Sequence, residues 1–266
     1  MSTKKKIGRL IPYPVIENGR KVLHIGTHRC HVCGAGVRSL KDTGYGFEVL
    51  ERLQVVGGLR RFADQCPICH SSSRERLIWF WLSRAGEGWR FADDITIAHL
   101  APEKGLTRAI SGAAPKNYTA YDFDPSRYRH LKRIEKADLS GLPMADNSVD
   151  LFVCNHVLEH VPDVALALSE IRRVLKPGGT AILQVPIAMK LEESIELELE
   201  STGDERIRLV GQDDHLRLFN EQDYLATLEK AGFEVELYDA FEDRDKLATQ
   251  WLLDPFEKLH LCRKPG

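Results

Sequence analysis

Two pairs of cysteines are the residues of this sequence with the clearest chemistry. Each pair has the spacing C-x2-C, and 32 residues separate the pairs, which are Cys30, Cys33, Cys66 and Cys69. Two such pairs bring four thiolates together as a tetrahedral site, the usual arrangement of structural Zn²⁺. Iron could use the same ligands, and disulfides are the other alternative. In a chain interpreted as intracellular, the paired spacing favours zinc.

Polar side chains that follow apolar runs form a second group. Asp122, Asp138 and Asn155 end three such runs, and His156 comes directly after the last of them. His215 lies further along the chain in the segment DDHLRLF. Histidine titrates near neutral pH and can accept a proton from a hydroxyl or an amine. These residue types suit the binding of polar ligand groups and proton transfer.

The segment from Ile134 to Pro186 contains the elements that must position these groups. Val149–Cys154 is an apolar run typical of a buried strand, Val164–Leu175 has apolar residues at helical spacing, and Thr180–Val185 is another apolar run. Strand, helix and strand with short connections form a parallel βαβ unit. We therefore expect an α/β fold with a doubly wound sheet, which binds ligands beyond the carboxyl ends of its strands.

The same alternation occurs earlier in the chain. Arg76–Leu82 predicts a buried helix, Asp94–Leu100 the first strand of the sheet, and Tyr118–Asp122 the next strand. The turn after the first strand is Ala101–Gly105. An acid about 20 residues after such a turn is placed to reach the ribose hydroxyls of a nucleoside.

From about residue 91 to the C-terminus, the sequence resembles the class I S-adenosylmethionine (SAM) methyltransferases, of the type 11-like kind. The resemblance is carried by the NHVLEH segment after the fourth strand, by the pair Asp138-Leu139, and by Phe256–Cys262, which is similar to the family's antiparallel seventh strand. It implies a seven-stranded Rossmann-like sheet and SAM as cofactor. The glycine-rich turn departs from the family pattern, because Gly105 is the only glycine left at the three matching positions.

The resemblance also implies which residues hold SAM. Glu103 would accept hydrogen bonds from the cofactor's ammonium, Asp122 would bind the ribose, and Asp138-Leu139 would hold the adenine amino group beside Phe123. Asp124 is the fallback for the ribose, or a helix N-cap. The predicted cofactor-binding residues are Ala101, Glu103, Gly105, Asp122, Phe123, Asp138, Leu139 and Asn155. The alternatives are a surface glutamate at Glu103 and a turn-capping aspartate at Asp138.

Methyl transfer from a sulfonium needs in-line alignment and, for hydroxyl or amine acceptors, removal of a proton. We predict His156 and His215 as the catalytic residues, since either imidazole could be this base. In the family that the sequence resembles, the Glu159-His160 pair often orders its loop and does not react.

Two domains are expected in the 266 residues. Residues 1–75 are predicted to form a zinc-ribbon or rubredoxin-like domain with a basic N-terminal segment, in which residues 44–62 are short strands and turns. Residues 76–266 are predicted to form the methyltransferase domain. A small domain of this kind has little core, so we expect bound Zn²⁺ to supply its folding free energy.

The composition of the chain indicates the kind of protein and its location in the cell. The chain is 43% hydrophobic and 29% charged, which is ordinary for a soluble globular protein. It has no apolar run as long as a membrane span and no apolar stretch after its first lysines, so we expect a cytoplasmic protein without membrane insertion. The oligomeric state is left open.

The charge is uneven along the chain, although the net charge is −2. Residues 1–90 carry 16 Lys and Arg against 7 Asp and Glu, and the remainder carries 21 against 32. The basic front either binds an anionic partner or docks on the acidic domain. The segment Ser71–Arg76 likewise either presents arginines to a phosphate or caps a helix.

Three functions follow from these features. The first is methyl transfer to an O or N nucleophile of a small-molecule or sugar-bearing acceptor, including anionic, phosphorylated or nucleotide-linked ones. The second is methylation of ribosomal or other RNA, with the basic zinc domain gripping the nucleic acid. The third is a binding or scaffold protein that has lost catalysis, which the altered glycine turn suggests.

Overall fold

A computed structural model describes residues 28–84, 94–114, 116–129, 131 and 133–266. The predicted basic N-terminal segment, up to residue 27, lies outside the described residues. Within the described ranges, no helix combines the length and the apolar character that crossing a membrane requires.

Short elements make up the part of the chain that carries the cysteine pairs. They are β1 (His28–Arg29), β2 (Gly36–Val37), β3 (Lys41–Thr43), α1 (Glu48–Leu53), β4 (Val55–Val56) and β5 (Arg61–Gln65). Strand β1 pairs with β2, and β3 with β5, both antiparallel. The expectation of strands and turns alone over residues 44–62 is wrong at α1. This helix forms because its apolar residues Val49 and Leu50 are buried against later parts of the chain, a packing that local sequence does not encode.

The rest of the chain alternates helices and strands. Its elements are α2 (Ser73–Arg84), β6 (Ile97–Leu100), α3 (Lys104–Ala113), β7 (Tyr118–Asp122), a 3₁₀ turn (Pro125–Arg127), β8 (Glu135–Lys136), β9 (Val149–Asn155), α4 (Val164–Val174), β10 (Leu175–Gln184), β11 (Ile187–Ala188), β12 (Ile195–Glu196), α5 (Gly203–Val210), β13 (Arg217–Leu218), α6 (Glu221–Lys230), β14 (Glu234–Tyr238), α7 (Ala240–Gln250) and β15 (Leu259–Arg263).

Seven strands form the central sheet in the order β14-β15-β10-β9-β6-β7-β8. Neighbouring strands are parallel, except that β15 is antiparallel to both β10 and β14. The predicted α/β doubly wound sheet and its antiparallel seventh strand are confirmed. Because β6, β7 and β9 are parallel, the residues after all three lie at one edge of the sheet.

Two apolar clusters cover the two faces of this sheet. One includes Phe152, Leu168 and Ile171, where α4 packs on β9, and the other includes Ile78, Leu106 and Leu151, where α2 and α3 pack. The predicted start of α4 is confirmed, since the Asp163 side chain accepts a hydrogen bond from the Leu166 N–H at 2.9 Å. Such a cap satisfies one of the free amides of the first turn.

Helix α1 and strand β4 join the cysteine-bearing part to the segments that follow β10 in the chain. Strand β4 pairs with β11, with Val55 opposite Ala188 and Val56 opposite Ile187. Leu50 packs so closely on Gly211 that a Cβ added to this glycine would lie 2.3 Å from a Leu50 methyl. These contacts hold the Gly57-Gly58 turn next to His156, the residue that follows β9 in the central sheet.

Candidate active site

The four cysteines predicted as metal ligands lie together. Their Sγ atoms all lie within 4.8 Å of one another, with Cys30 and Cys69 3.6 Å apart and Cys33 and Cys66 4.0 Å apart. Four sulfurs at about 2.3 Å from one Zn²⁺ are about 3.8 Å apart in a tetrahedron. All four are free thiols, since a disulfide would need about 2.05 Å. The cluster thus has the dimensions of a four-thiolate zinc site.

Each cysteine pair turns in the same way. The Gly34 N–H donates to the Cys30 carbonyl at 2.8 Å, and the His70 N–H donates to the Cys66 carbonyl at 2.9 Å. Both residues after the pairs have left-handed backbone, with φ of 72° at Gly34 and 67° at His70. A glycine thus adopts this conformation after the first pair, and a histidine adopts it after the second.

Gly105 packs against the second cysteine pair. A Cβ at this position would lie 2.0 Å from Ser71 Oγ, 3.1 Å from the Cys69 carbonyl oxygen and 3.2 Å from Cys69 Sγ. The space beside the Gly105 Cα is therefore filled by protein. The sequence suggested close approach of a cofactor as the reason for this glycine, and the structure supplies a second reason in the contact between α3 and the cysteine cluster.

We expect Gly105→Ala to lower the free energy of unfolding by about 1 to 3 kcal/mol, because the added methyl overpacks this contact. Gly112→Ala is a matched control on the same helix, since nothing lies within 4 Å of its Cβ position. That change should be neutral or stabilising by up to about 1 kcal/mol, as alanine favours a helix over glycine. Urea unfolding of both variants checks the difference; equal stabilities would contradict the contact.

Glu103 sits in a polar network at the end of β6. Its Oε2 lies 2.9 Å from His99 Nε2, and its Oε1 accepts from Asn155 Nδ2 at 2.9 Å. His99 Nδ1 is in turn 2.9 Å from the Tyr118 hydroxyl. Burial opposes ionisation of Glu103, but the contact with His99 and the charge of Arg74 outweigh it and lower its pKa. Glu103 is thus a network member and not the surface glutamate of the alternative.

Asp122 ends β7 as predicted and is nearly buried. Its Oδ1 accepts from the Asp124 N–H at 2.8 Å, and its Oδ2 accepts from the Tyr128 hydroxyl at 2.7 Å. These bonds fix the carboxylate at the carboxyl end of the strand. Asp124 caps the following 3₁₀ turn, where its Oδ1 accepts from the Ser126 N–H at 3.1 Å. The structure therefore gives the two acids separate surroundings.

The other residues predicted for the nucleoside differ in exposure. Phe123 is 65% exposed, and Leu139 is buried. Asp138 is exposed, and its Oδ1 accepts from the Ser140 N–H at 2.9 Å, which is the turn-capping contact of the alternative interpretation. This contact uses Oδ1 of Asp138 and leaves its Oδ2 available to a ligand. At the preceding turn Ala101 has φ of 48°, a left-handed conformation that glycine adopts most easily.

Asn155 is the last residue of β9, and His156 follows it directly. Asn155 Oδ1 is buried and accepts no hydrogen bond from the residues that the structure describes, while its Nδ2 donates to Glu103. His156 has φ of 50°, and its ring lies under the Gly57 turn, where an added Cβ would be 2.9 Å from His156 Cε1. Burial and the nearby Arg74 lower the pKa of His156, so its imidazole is neutral at neutral pH.

A cavity of about 500 Å³ opens beside His156. Its walls come from β3 to β5, from the start of α2, and from the segments that carry His156 and His215. Its size is within the usual range for small-molecule sites. Among its lining residues five are carboxylates and two are guanidinium groups: Asp42, Asp64, Glu75, Glu159, Glu257, Arg61 and Arg74.

The two arginines of the segment Ser71–Arg76 have different roles. Arg76 is buried and donates to Asp64 Oδ1 and to the Leu252 carbonyl, both at 2.7 Å, so it holds the structure together. Arg74 lines the cavity, among carboxylates that include Glu103 and Glu257. Burial raises the pKa of Glu257 to about 7, against the opposing effect of Arg74. Of the two, Arg74 is the one placed to meet a ligand in the cavity.

The structure brings His215 next to the Glu159-His160 pair. The rings of His160 and His215 are 4.6 Å apart at an interplanar angle of 89°. Both oxygens of Glu159 and Nδ1 of His215 are buried without a hydrogen-bond partner among the described residues. The two predicted catalytic histidines thus line the same cavity, while Glu159 joins them as a residue that the sequence analysis assigned to loop order.

Arg217 is a positioning residue that the sequence analysis missed. Its guanidinium is buried, pairs with Glu196, and donates from Nη1 to the carbonyls of Leu158 and Val161. It thereby fixes the loop that carries Glu159 to the strand that follows His215. The signal available in the sequence was an arginine two residues after a candidate histidine, which does not by itself indicate burial.

Part of the chain is similar in sequence to known methyltransferases. Residues 103–183 match the family described as "Methyltransferase domain". A probable S-adenosylmethionine-dependent methyltransferase of Mycolicibacterium smegmatis is 31% identical over 121 residues, which are 43% of this chain and 42% of that protein. The ubiquinone/menaquinone biosynthesis C-methyltransferase UbiE of Brucella canis is 32% identical over 121 residues, 40% of this chain and 44% of that one. The chain thus spans less than half the length of these two relatives.

Among solved structures, the complex between the Haloferax volcanii Trm112 methyltransferase activator and a methyltransferase matches at a TM-score of 0.49 and 18% identity, covering 72% of this chain and 90% of that one. The family match runs from the start of α3 into β10, and so includes β7 and β9, whose last residues are Asp122 and Asn155. The chain therefore carries a SAM-dependent methyltransferase domain with the class I, Rossmann-like fold.

Proposed function

We propose that this protein is an active SAM-dependent methyltransferase that methylates an O or N nucleophile of a small-molecule or sugar-bearing acceptor. The observation that carries the proposal is the cavity of about 500 Å³ lined by His156, the residue that follows Asn155 at the end of β9. A cavity next to the cofactor edge is where an acceptor must lie for in-line transfer.

The residues at the sheet edge fit SAM at its nucleoside end. Asp122 is a fixed carboxylate for the ribose, Phe123 is an exposed aromatic side chain, and Leu139 is a buried apolar neighbour. At the other end, Asn155 Oδ1 is a buried acceptor that has no donor within the described ranges, and an ammonium group could supply one. Glu103 would act there through Asn155, because both of its oxygens already accept hydrogen bonds or contact His99. SAM bound at this edge supplies an electrophilic methyl group.

His156 is the residue that we propose as the base. Its ring lines the cavity, and the Gly57 turn holds it in place. A neutral imidazole there can take the proton of an acceptor hydroxyl or amine as the methyl group is transferred. His215 lies in the same wall and is the second candidate for this role.

We propose that the four cysteines hold Zn²⁺ as a structural ion and that residues 1–75 and 76–266 are the two domains. Support comes from the tetrahedral dimensions of the cluster and from its packing against Trp79 of α2 and Ala109 of α3. Bound zinc would fix the wall of the cavity that β3, β5 and the Gly57 turn provide.

The cavity walls bear on the acceptor class. Five carboxylates and two guanidinium groups line the cavity. This excess of acidic groups would repel a strongly anionic acceptor. The size of the cavity and its acidic lining favour a small molecule over RNA, which binds along basic surfaces. We therefore place a small hydroxyl- or amine-bearing acceptor first.

The test is transfer of label from methyl-tritiated SAM to a small-molecule extract and, separately, to total RNA from the source cells. We expect label in the small-molecule extract, with His156→Asn lowering the rate by about 10²- to 10⁴-fold through loss of the base. Asparagine is chosen because it tolerates the left-handed backbone of this position. His28→Asn, at an exposed histidine outside the cavity, is the control and should keep the rate. Label in RNA alone would favour RNA methylation, and no label in either would contradict the proposal.

A further inference from the structure

A second group of metal-ligating side chains lies in the cavity wall, apart from the four cysteines. Glu159, His160 and His215 each offer one ligand atom, and these atoms all lie within 4.8 Å of one another. The Leu216 N–H donates to the Glu159 carbonyl at 2.9 Å, which ties the two chain segments together. The group is therefore built by a defined backbone contact and not by chance proximity of mobile side chains.

Two of the three residues, Glu159 and His215, have buried side-chain atoms without a hydrogen-bond partner in the described part of the chain. Neither oxygen of Glu159 accepts a hydrogen bond among the described residues, although this side chain is only 1% exposed. The nearest charged neighbour of Glu159 is His156, whose Nδ1 lies 3.3 Å from Glu159 Oε1. Nδ1 of the buried His215 has no hydrogen-bond partner among the described residues. Buried polar atoms are almost always satisfied in folded proteins, so a buried carboxylate and a buried imidazole nitrogen that lack hydrogen bonds side by side favour a bound cation.

His160 is oriented as metal-binding histidines usually are. Its Nδ1 lies 3.1 Å from the Asp214 carbonyl oxygen, which can only accept a hydrogen bond, so Nδ1 carries the proton and Nε2 keeps its lone pair. A ligating histidine commonly donates its other ring N–H to a carbonyl or carboxylate in this way. The Asp214 carboxylate also lies 3.5 Å from the same nitrogen.

From these contacts we propose that Glu159, His160 and His215 bind one divalent transition-metal ion, such as Zn²⁺ or Mn²⁺, in the wall of the cavity. Two imidazoles and one carboxylate are a frequent ligand set for such ions, and they leave coordination positions open. The excess of carboxylates among the lining residues favours a cation there by charge. This assignment gives His215 the role of a metal ligand in place of the predicted base.

The role of this ion rests on the proposed function. Because Glu159, His160 and His215 line the cavity, an acceptor oxygen bound there could become a further ligand of the ion and would then lose its proton more readily. The ion would also offset the acidic lining and so admit an acceptor that carries a phosphate or carboxylate. His156 remains next to the site to receive the released proton.

Calorimetric titration of the purified full-length protein, saturated beforehand with one equivalent of Zn²⁺ for the cysteines, tests the site. Mn²⁺ and Zn²⁺ are titrated separately, without SAM. We expect one further equivalent of at least one ion to bind, and Glu159→Gln to weaken this binding by at least about 10-fold, as for other losses around metal sites. Glu257→Gln is the matched control, since Glu257 is a buried carboxylate of the same cavity outside the cluster. It should bind the ion within about 2-fold of the unaltered protein.

Either of two results would overturn the proposal: neither ion binds beyond the first equivalent, or Glu159→Gln binds it as tightly as the unaltered protein. Because the titration contains no SAM, it is independent of the proposed function. Asp122→Asn, which alters the cofactor edge, should leave this metal binding unchanged. An unaltered protein that binds the further metal ion but no SAM would then count against the methyltransferase proposal alone.

Discussion

Cys30→Ser should remove one Zn²⁺ per chain and unfold the cysteine-bearing part of the protein. A structural zinc site contributes on the order of 10 kcal/mol to folding, which is comparable to the whole stability of a typical domain. The apolar cluster around the cysteines is small, so little else replaces the ion. Because this cluster packs on Trp79 and Ala109, we also expect α2 and α3 to loosen. Zinc content by mass spectrometry and urea unfolding check both effects.

Cys262→Ala is the control for loss of a buried cysteine. Cys262 is fully buried in β15 and far from the cluster in sequence, so its removal should cost far less stability and no zinc. Removing zinc with a chelator should reproduce the effect of Cys30→Ser in the unaltered protein. A Cys30→Ser variant that keeps its metal and its unfolding midpoint would contradict the structural role of the site.

The sheet could be predicted because its signals are local. The apolar run of β9, the helical spacing of α4 and its Asp163 cap each lie within a few neighbouring residues. The short elements could not be predicted in this way. Helix α1 depends on burial of Leu50 beside Gly211, and strands β12 and β13 depend on pairing across 21 residues of chain, from Glu196 to Arg217.

In the candidate site, too, some residues could be predicted from local sequence and others could not. Cysteine spacing and strand ends pointed to the four thiols and to Asp122, which the fold then placed at one edge. The contact of Gly105 with Ser71 and the meeting of Glu159 with His215 join residues far apart in sequence. Spacing carries no information on such contacts, so the burial of these groups was visible only once the chain was folded.

Asp122→Asn should weaken binding of S-adenosylhomocysteine by about 10- to 100-fold. A carboxylate that accepts two ribose hydroxyls contributes about 1.5 to 3 kcal/mol more than a group that cannot accept both, at about 1.4 kcal/mol per tenfold. The amide can still accept from the Asp124 N–H and contact Tyr128, so the strand end should stay folded. Asp124→Asn makes the same chemical change two residues away, on the exposed acid that caps the 3₁₀ turn, and should bind nearly as well as the unaltered protein.

Calorimetric titration of the zinc-loaded protein with S-adenosylhomocysteine is the most direct measurement of the central claim, that the carboxyl edge of this sheet holds SAM. We predict micromolar binding at one site per chain, weakened in Asp122→Asn and kept in Asp124→Asn. A folded, zinc-loaded protein that binds no S-adenosylhomocysteine would contradict the claim, and the packing of Ser71 and Cys69 against Gly105 would then be the first cause to examine.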